Sequence, residues 1–113
     1  MIQVDPSKTD KQDFLTHAFK HRPKTPMRGA IKLTVNTYFA RPKSHYNKKG
    51  LKKDAPVYSV KIPDVDNLLK FVGDALNTVF WEDDKLICEA VIVKKYSDTP
   101  RVEVSITEVS SET

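Results

Sequence analysis

The 113-residue sequence contains one cysteine, Cys88, which excludes a disulfide framework. Cys88 lies in an apolar, strand-like stretch, where a small core residue is the ordinary interpretation. No apolar run approaches the roughly 20 residues that a membrane-spanning helix needs, and no secretory signal is recognisable at the start. These absences exclude disulfide-rich secreted proteins and membrane proteins. A single domain over residues 1–113, in a reducing cytoplasm, is expected.

Acidic residues are absent from residues 14–53, a stretch that holds eleven of the nineteen Lys and Arg residues. Solubility alone would explain the net charge of +4 but not this segregation of sign. It indicates one surface for polyanions and a separate site for cations. The expected phosphate contacts lie in a lysine-rich segment: Arg41, Lys43, Lys48, Lys49, Lys52 and Lys53.

The first half of the chain predicts a helix, a strand and a loop. Thr9 and Gln12 form a capping box that opens a short helix, and Pro23 ends it. Residues 30–39 alternate apolar and polar side chains, as in a half-buried strand. Residues 41–54 have no periodicity and are interpreted as a mobile loop.

The second half predicts a helix and two strands. The helix starts at Asp64 or Asp66 and runs to about Thr78. Residues 86–96 are apolar on both faces, which indicates a central strand. Residues 97–100 form a turn to a return strand over residues 101–109. The predicted class is α+β, with a mixed or antiparallel sheet of three to four strands layered with two helices.

Two carboxylates, Asp64 and Asp66, stand at the predicted start of this helix. They converge only if the helix starts between them, and their mutual repulsion would favour a bound divalent cation such as Mg²⁺. The plainer alternative is that one caps the helix and Asp66 pairs with Lys70 at i,i+4. On the helix, Asp66 and Lys70 share one face with Asp74 and Asn77.

A second acidic pair, Asp83 and Asp84, follows the aromatic residues Phe80 and Trp81. Such pairs are common in solvated turns. Asp84 is the better site candidate, because the aromatic pair can anchor the chain that leads to it and direct its carboxylate back towards the helix start.

The motifs in residues 63–70 (PDVDNLLK), 74–77 (DALN) and 80–84 (FWEDD), followed by an apolar strand, resemble the RusA family. These are Holliday-junction resolvases of bacteria and their prophages. The resemblance implies a RusA-like fold, a cytoplasmic homodimer and branched DNA as substrate. It also implies cleavage with Mg²⁺, for which Mn²⁺ can substitute, and no organic cofactor. The implied metal ligands are Asp64, Asp66 and Asp84, and Lys70 joins them as a catalytic residue.

Family members usually begin with a β-strand and a Pro- and basic-rich segment. That portion is missing or unrecognisable here, so residues 1–8 are expected to contribute little structure and the usual N-terminal strand to be lacking. The alternative function is a catalytically impaired junction- or nucleic-acid-binding module. For the expected dimer, residues 101–109 and the surface around Phe80 and Trp81 are the two candidate interfaces.

Overall fold

A computed structural model describes residues 2–4 and 11–109. The elements follow in the order β1 (Ile2–Val4), α1 (Lys11–Ala18), β2 (Ile31–Ala40), β3 (Tyr46–Asn47), β4 (Gly50–Leu51), α2 (Val65–Leu76), β5 (Ile87–Ser97) and β6 (Arg101–Glu108). A 3₁₀ turn over Phe19–His21 extends α1, and others cover Lys43–His45 and Asp84–Leu86. The predicted α+β class is confirmed.

The main sheet has four strands in the order β1-β6-β2-β5. Strand β2 pairs in parallel with β5 and antiparallel with β6, so the sheet is mixed. Parallel pairing of β2 and β5 requires a crossover, and α2 lies in it.

The hydrophobic core lies between one face of this sheet and the two helices. Strand β2 alternates as predicted, with Ile31, Leu33 and Val35 fully buried. Helix α1 contributes Phe14, whose ring meets that of Phe71 edge-on at 5.4 Å between centroids. The remaining buried apolar residues of the helices are Ala18, Val72, Ala75 and Leu76. The opposite face of β2 is only half-buried, because its residues are polar.

The expectation that the first residues contribute little structure is wrong for Ile2–Val4. This segment pairs antiparallel with β6, and both Ile2 and Val4 are buried in the core. Two apolar residues spaced by two fit a short strand on a half-buried sheet. The predicted Thr9 cap lies outside the described residues.

Strand β5 is at the sheet edge, so its prediction as a central strand is wrong. Its outward-facing Val91 is 42% exposed, and only part of its apolar content reaches the core. The segment before α2 covers its carboxyl half, since the Ser59 amide donates to the Lys94 carbonyl at 3.0 Å. Strand β6 reverses direction after the turn as predicted, but it pairs with β2 and β1 rather than with β5.

The segment over residues 41–54 was predicted to be a mobile loop but contains a small hairpin of β3 and β4. Asn47 Oδ1 accepts from the Lys49 amide at 2.9 Å, and Gly50 has a φ of 113°, which favours glycine. Local turn chemistry therefore orders a stretch that has no hydrophobic periodicity.

Candidate functional site

Helix α2 begins between the two carboxylates at its amino end. Asp64 is the N-cap, with extended backbone angles of φ −72° and ψ 158°, and Asp66 lies in the first turn. The Asp64 side chain makes no capping hydrogen bond, and Asp66 is not ion-paired with Lys70 in the described part of the chain. Both carboxylates are exposed. The plainer alternative of a cap and an ion pair therefore does not describe their local contacts.

Asp84 is held in place by the only tryptophan of the sequence. Trp81 is 0% exposed, and its Nε1–H donates to Asp84 Oδ1 at 2.7 Å. The neighbouring Asp83 is exposed and caps the 3₁₀ turn by accepting from the Lys85 amide at 2.9 Å. The two adjacent carboxylates thus have different positions, and only Asp84 is fixed against the core.

The Asp84 carboxylate lies against the third turn of α2 rather than at the helix start. A Cβ built on Gly73 would be 3.8 and 3.9 Å from its two oxygens. Positions 66, 70 and 73 fall within an arc of about 60° on a helix. Asp84 therefore joins the face of α2 that carries Asp66 and Lys70.

The acidic groups on this face of α2 lie far apart along the helix axis. Asp66 precedes Gly73 by seven residues, or about 10 Å of helix rise, and Lys70 lies between them. Lys70 is exposed and forms no salt bridge with a described residue. An ammonium group between two carboxylates is well placed to meet a phosphate drawn to the same face.

The three carboxylates are not gathered around one point. Across residues 2–4 and 11–109, no group of three or more His, Cys, Asp or Glu side chains is close enough to hold a metal ion. The donor chemistry nevertheless fits Mg²⁺, which commonly takes one or two carboxylates together with water and phosphate oxygens. Asn77, one turn beyond Gly73, adds a buried Oδ1 that has no hydrogen-bond partner. Shared ligation by Asp64, Asp66 and Asp84 stays a prediction.

Asp74 has a structural partner. Its carboxylate accepts from Lys11 Nζ at 2.9 Å and joins α2 to α1 across the surface. Both side chains are about half exposed, so this pair stabilises the fold by at most about 1 kcal/mol. Asp74 is thus engaged with Lys11 of α1 rather than with the groups around Asp84.

The basic hairpin, residues 41–53, docks at the carboxyl end of β5. The ring of His45 meets that of Tyr96 edge-on at 4.8 Å, and the Tyr46 hydroxyl donates to the Asp98 carboxylate. The Arg41 guanidinium donates to the Pro56 carbonyl at 2.8 Å and approaches His45 Nδ1 at 3.3 Å. These contacts fix the base of the hairpin and leave its tip in solvent.

The six predicted phosphate-contacting cations therefore divide into two groups. Arg41 and Lys52 are half-buried, and Arg41 is engaged by its protein contacts. The exposed cations of the set are Lys43, Lys48, Lys49 and Lys53. Lys48 and Lys49 lie at the hairpin tip, between β3 and β4.

The electrostatics at the base of the hairpin are positive. Burial lowers the pKa of His45 below 6.5, and the nearby charges of Arg41, Lys61 and Lys52 lower it further. The hydrogen bond to Asp98 raises the pKa of Tyr46 above 10.0, with burial and the Asp98 charge acting in the same direction. An extra proton on His45 is therefore disfavoured, first by burial and then by the neighbouring cations.

Sequence reasoning named one of the two residues that contact Asp84, Trp81, and missed the other, Gly73. Trp81 was considered as an anchor, but its direct hydrogen bond to the carboxylate was not foreseen. Gly73 was passed over, although an isolated glycine inside a helical pattern commonly has a packing reason. Here the Asp84 carboxylate lies at ordinary contact distance from the position that a Cβ on the buried Gly73 would take.

Comparison with known proteins gives two matches. The model of one protein family, described as Endodeoxyribonuclease RusA, matches residues 3–107. The chain is also similar to the "Uncharacterized protein YqaN" of Bacillus subtilis (strain 168). It is 40% identical to that protein over 112 residues, which cover 95% of this chain and 79% of the relative. No helix among residues 2–4 and 11–109 is long and apolar enough to cross a bilayer.

Proposed function

Because this chain belongs to the RusA family of endodeoxyribonucleases, we propose that it resolves four-way DNA junctions by paired phosphodiester cleavage that depends on Mg²⁺. The observation that carries the proposal is the placement of Asp84. A buried tryptophan holds this carboxylate against the face of α2 that bears Asp66 and Lys70. Because the substrate is chromosomal or phage DNA, the proposed site of action is the bacterial cytoplasm.

The proposed roles follow from the chemistry of each side chain. Asp64, Asp66 and Asp84 would hold Mg²⁺, or Mn²⁺ in its place, with phosphate and water oxygens completing the coordination. A bound divalent cation lowers the pKa of water and neutralises charge on the phosphoryl group. Lys70 donates to the phosphoryl oxygens as negative charge grows on them.

The decisive experiment compares wild-type protein with Asp66→Asn on a synthetic four-way junction, a linear duplex and a single strand. With Mg²⁺, the wild type should make symmetric cuts in the junction alone. Asp66→Asn keeps the shape of the side chain but removes its charge, so cleavage should be lost while junction binding persists or tightens. Cleavage by Asp66→Asn at the wild-type rate would contradict the site assignment.

DNA affinity is proposed to come mainly from the exposed lysines of the basic hairpin. Each lysine that neutralises a duplex phosphate contributes about 0.9 to the slope of log affinity against log salt. Such contacts grip DNA without reading its sequence, which suits an enzyme that recognises a branched shape.

A homodimer is proposed because a junction has two opposed strands to cut, and a two-fold axis supplies two sites with one kind of interface. Of the two candidate interfaces inferred from the sequence, β6 pairs with β2 along one side and with β1 only at Val102–Val104 along the other. Phe80 and Trp81 are themselves buried, so a contact there would use the surface around them. Sedimentation equilibrium at micromolar concentration tests the dimer, and a strict monomer that still makes paired cuts would exclude it.

The second candidate is a junction-binding protein that does not cleave. The separation of Asp84 from Asp66, about 10 Å along the helix axis, is the observation that favours it. Junction binding without cuts in either Mg²⁺ or Mn²⁺ would establish this alternative, because binding depends on the hairpin and not on the carboxylates.

A further inference from the structure

Exposed hydrophobic side chains are concentrated just before the acidic helix. Within residues 2–4 and 11–109, nine large hydrophobic residues are exposed, and six of them lie within residues 51–65. Val60 and Ile62 are 93% and 86% exposed, which is extreme for aliphatic residues in an ordered segment. The name apolar strip is used here for Val57, Tyr58, Val60, Ile62 and Val65. Exposed apolar side chains concentrated in one segment commonly mark an interaction surface.

Backbone pairing holds the apolar strip in place. The Tyr96 amide donates to the Val57 carbonyl at 2.9 Å, and Ser59 is bonded to the same strand, β5. The chain then leads within two residues from Ile62 to Asp64, the N-cap of α2. The strip is thus continuous with the amino end of the proposed catalytic face.

Lysines border the apolar strip, and residues 55–63 contain no acidic residue. Lys61 lies within the segment, and the Lys94 ammonium donates to its carbonyl. Lys95 Nζ is 5.6 Å from the centre of the Tyr58 ring. Apolar side chains among lysines suit a partner that offers both apolar surfaces and negative charge. Nucleic acid has both, in its base faces and its phosphates.

We propose that the apolar strip inserts at the branch point of the DNA and packs against bases that are unstacked there. The proposal rests on the junction-cleaving function proposed above and gives that function a source of structural selectivity. Aliphatic wedges separate base steps in other DNA-binding proteins, and aromatic side chains stack on freed bases. An intact duplex buries its base faces in the stack, so the strip would add affinity only where the stack is interrupted.

The test uses 2-aminopurine, a base whose fluorescence rises when it is unstacked, placed beside the branch point of a synthetic junction and at the same sequence in a duplex. Binding is measured in EDTA so that no cleavage occurs. Wild-type protein should raise the fluorescence of the junction and not that of the duplex. The double variant Val60→Ser/Ile62→Ser should abolish the rise and weaken junction affinity about tenfold while duplex affinity is unchanged.

A matched control and a gain-of-function variant sharpen the test. Val91→Ser changes an exposed valine on β5, outside the strip, and should leave the fluorescence rise and both affinities intact. Val60→Phe places an aromatic ring at the most exposed position and should strengthen both the rise and junction affinity. Because these side chains are on the surface, circular dichroism should show that every variant is folded.

Three results would overturn the proposal. The double variant could keep the fluorescence rise, it could lose junction and duplex affinity equally, or it could turn a dimer into a monomer, which would make the strip a protein interface. A cleavage assay in Mg²⁺ shows whether only the role of the apolar strip is wrong or the proposed junction-cleaving function is wrong as well. If the wild-type protein cuts junctions and the double variant is equally selective for them, only the proposed role of the strip is wrong. If the wild-type protein shows no preference for junctions, both the role of the strip and the junction-cleaving function are wrong.

Discussion

The substitution Trp81→Phe removes the hydrogen bond to Asp84 and keeps an aromatic ring in the core. A hydrogen bond to a charged group contributes about 1.5–3 kcal/mol, and loss of the indole atoms removes about 2 kcal/mol of buried apolar contact. The free energy of unfolding should therefore fall by about 3–5 kcal/mol. Without the Nε1–H donor, the carboxylate is free to turn away from Gly73.

The effect on catalysis follows from this lost orientation. Removing a residue that orients a metal ligand commonly costs 10–100-fold in metal affinity or activity. For Trp81→Phe we expect kcat/KM for junction cleavage to fall by about that factor, with partial recovery as the Mg²⁺ concentration rises. Calorimetric titration with Mn²⁺ should show weaker binding directly, without reliance on activity.

Phe80→Leu is the matched control for this prediction. Phe80 is 2% exposed and adjacent to Trp81, but its side chain has no polar atom with which to hold Asp84. Its substitution should lower thermal stability and leave the Mg²⁺ dependence of cleavage unchanged. Trp81 does not orient Asp84 for metal binding if Trp81→Phe cuts with the wild-type Mg²⁺ dependence, or if Phe80→Leu shifts that dependence equally.

Three further predictions concern the helix, the hairpin tip and its base. Gly73→Ala should stabilise α2 by about 0.5–1 kcal/mol in urea unfolding and spare cleavage, because the new Cβ meets Asp84 at an ordinary contact distance of 3.8 Å. Changing Lys48 and Lys49 to Ala should weaken junction and duplex binding alike and reduce the salt slope by about 0.9 per lost contact; an unchanged slope would exclude the tip as a phosphate clamp. The pKa of His45 is lowered in the folded state, so the unfolded chain protonates this histidine more readily. Its contribution to stability should therefore be full above pH 6.5 and decline as the pH falls towards the folded-state pKa. His45→Phe keeps a ring beside Tyr96 and should reduce this decline between pH 7.5 and 5.5, whereas an identical decline in both proteins would reject the assignment.

The elements with strong periodicity could be predicted from the sequence. Alternation in residues 30–39 identified β2 and its buried side, because a strand on a half-buried sheet must alternate. The helix start was predicted to within a residue or two, since Pro63 favours an extended approach and Asp64 is a preferred N-cap type. Each of these signals is local, so no knowledge of packing was needed.

The errors came from features that depend on packing between distant segments. Strand β5 is apolar on both faces, which is ambiguous between a central strand and an edge strand partly covered by another segment. The hairpin within residues 41–54 has strands of two residues each, too short for a periodic signal. Strand β1 depends on pairing with β6, about a hundred residues later in the chain.

The candidate site shows the same division between local and distant information. Sequence alone could place Asp64 and Asp66 around a helix start and favour Asp84 over Asp83, but it could not show the contacts that separate these two chemically identical neighbours. What distinguishes them is that the 3₁₀ turn takes Asp83 as its cap and leaves Asp84 for the buried Trp81. The helix surface beside Asp84 is left open by Gly73, where an added Cβ would lie at ordinary contact distance from the carboxylate. The third carboxylate therefore owes its position to the hydrogen bond from Trp81, and a change in Mg²⁺ dependence, rather than in DNA affinity, is the observable that should follow from removing that bond.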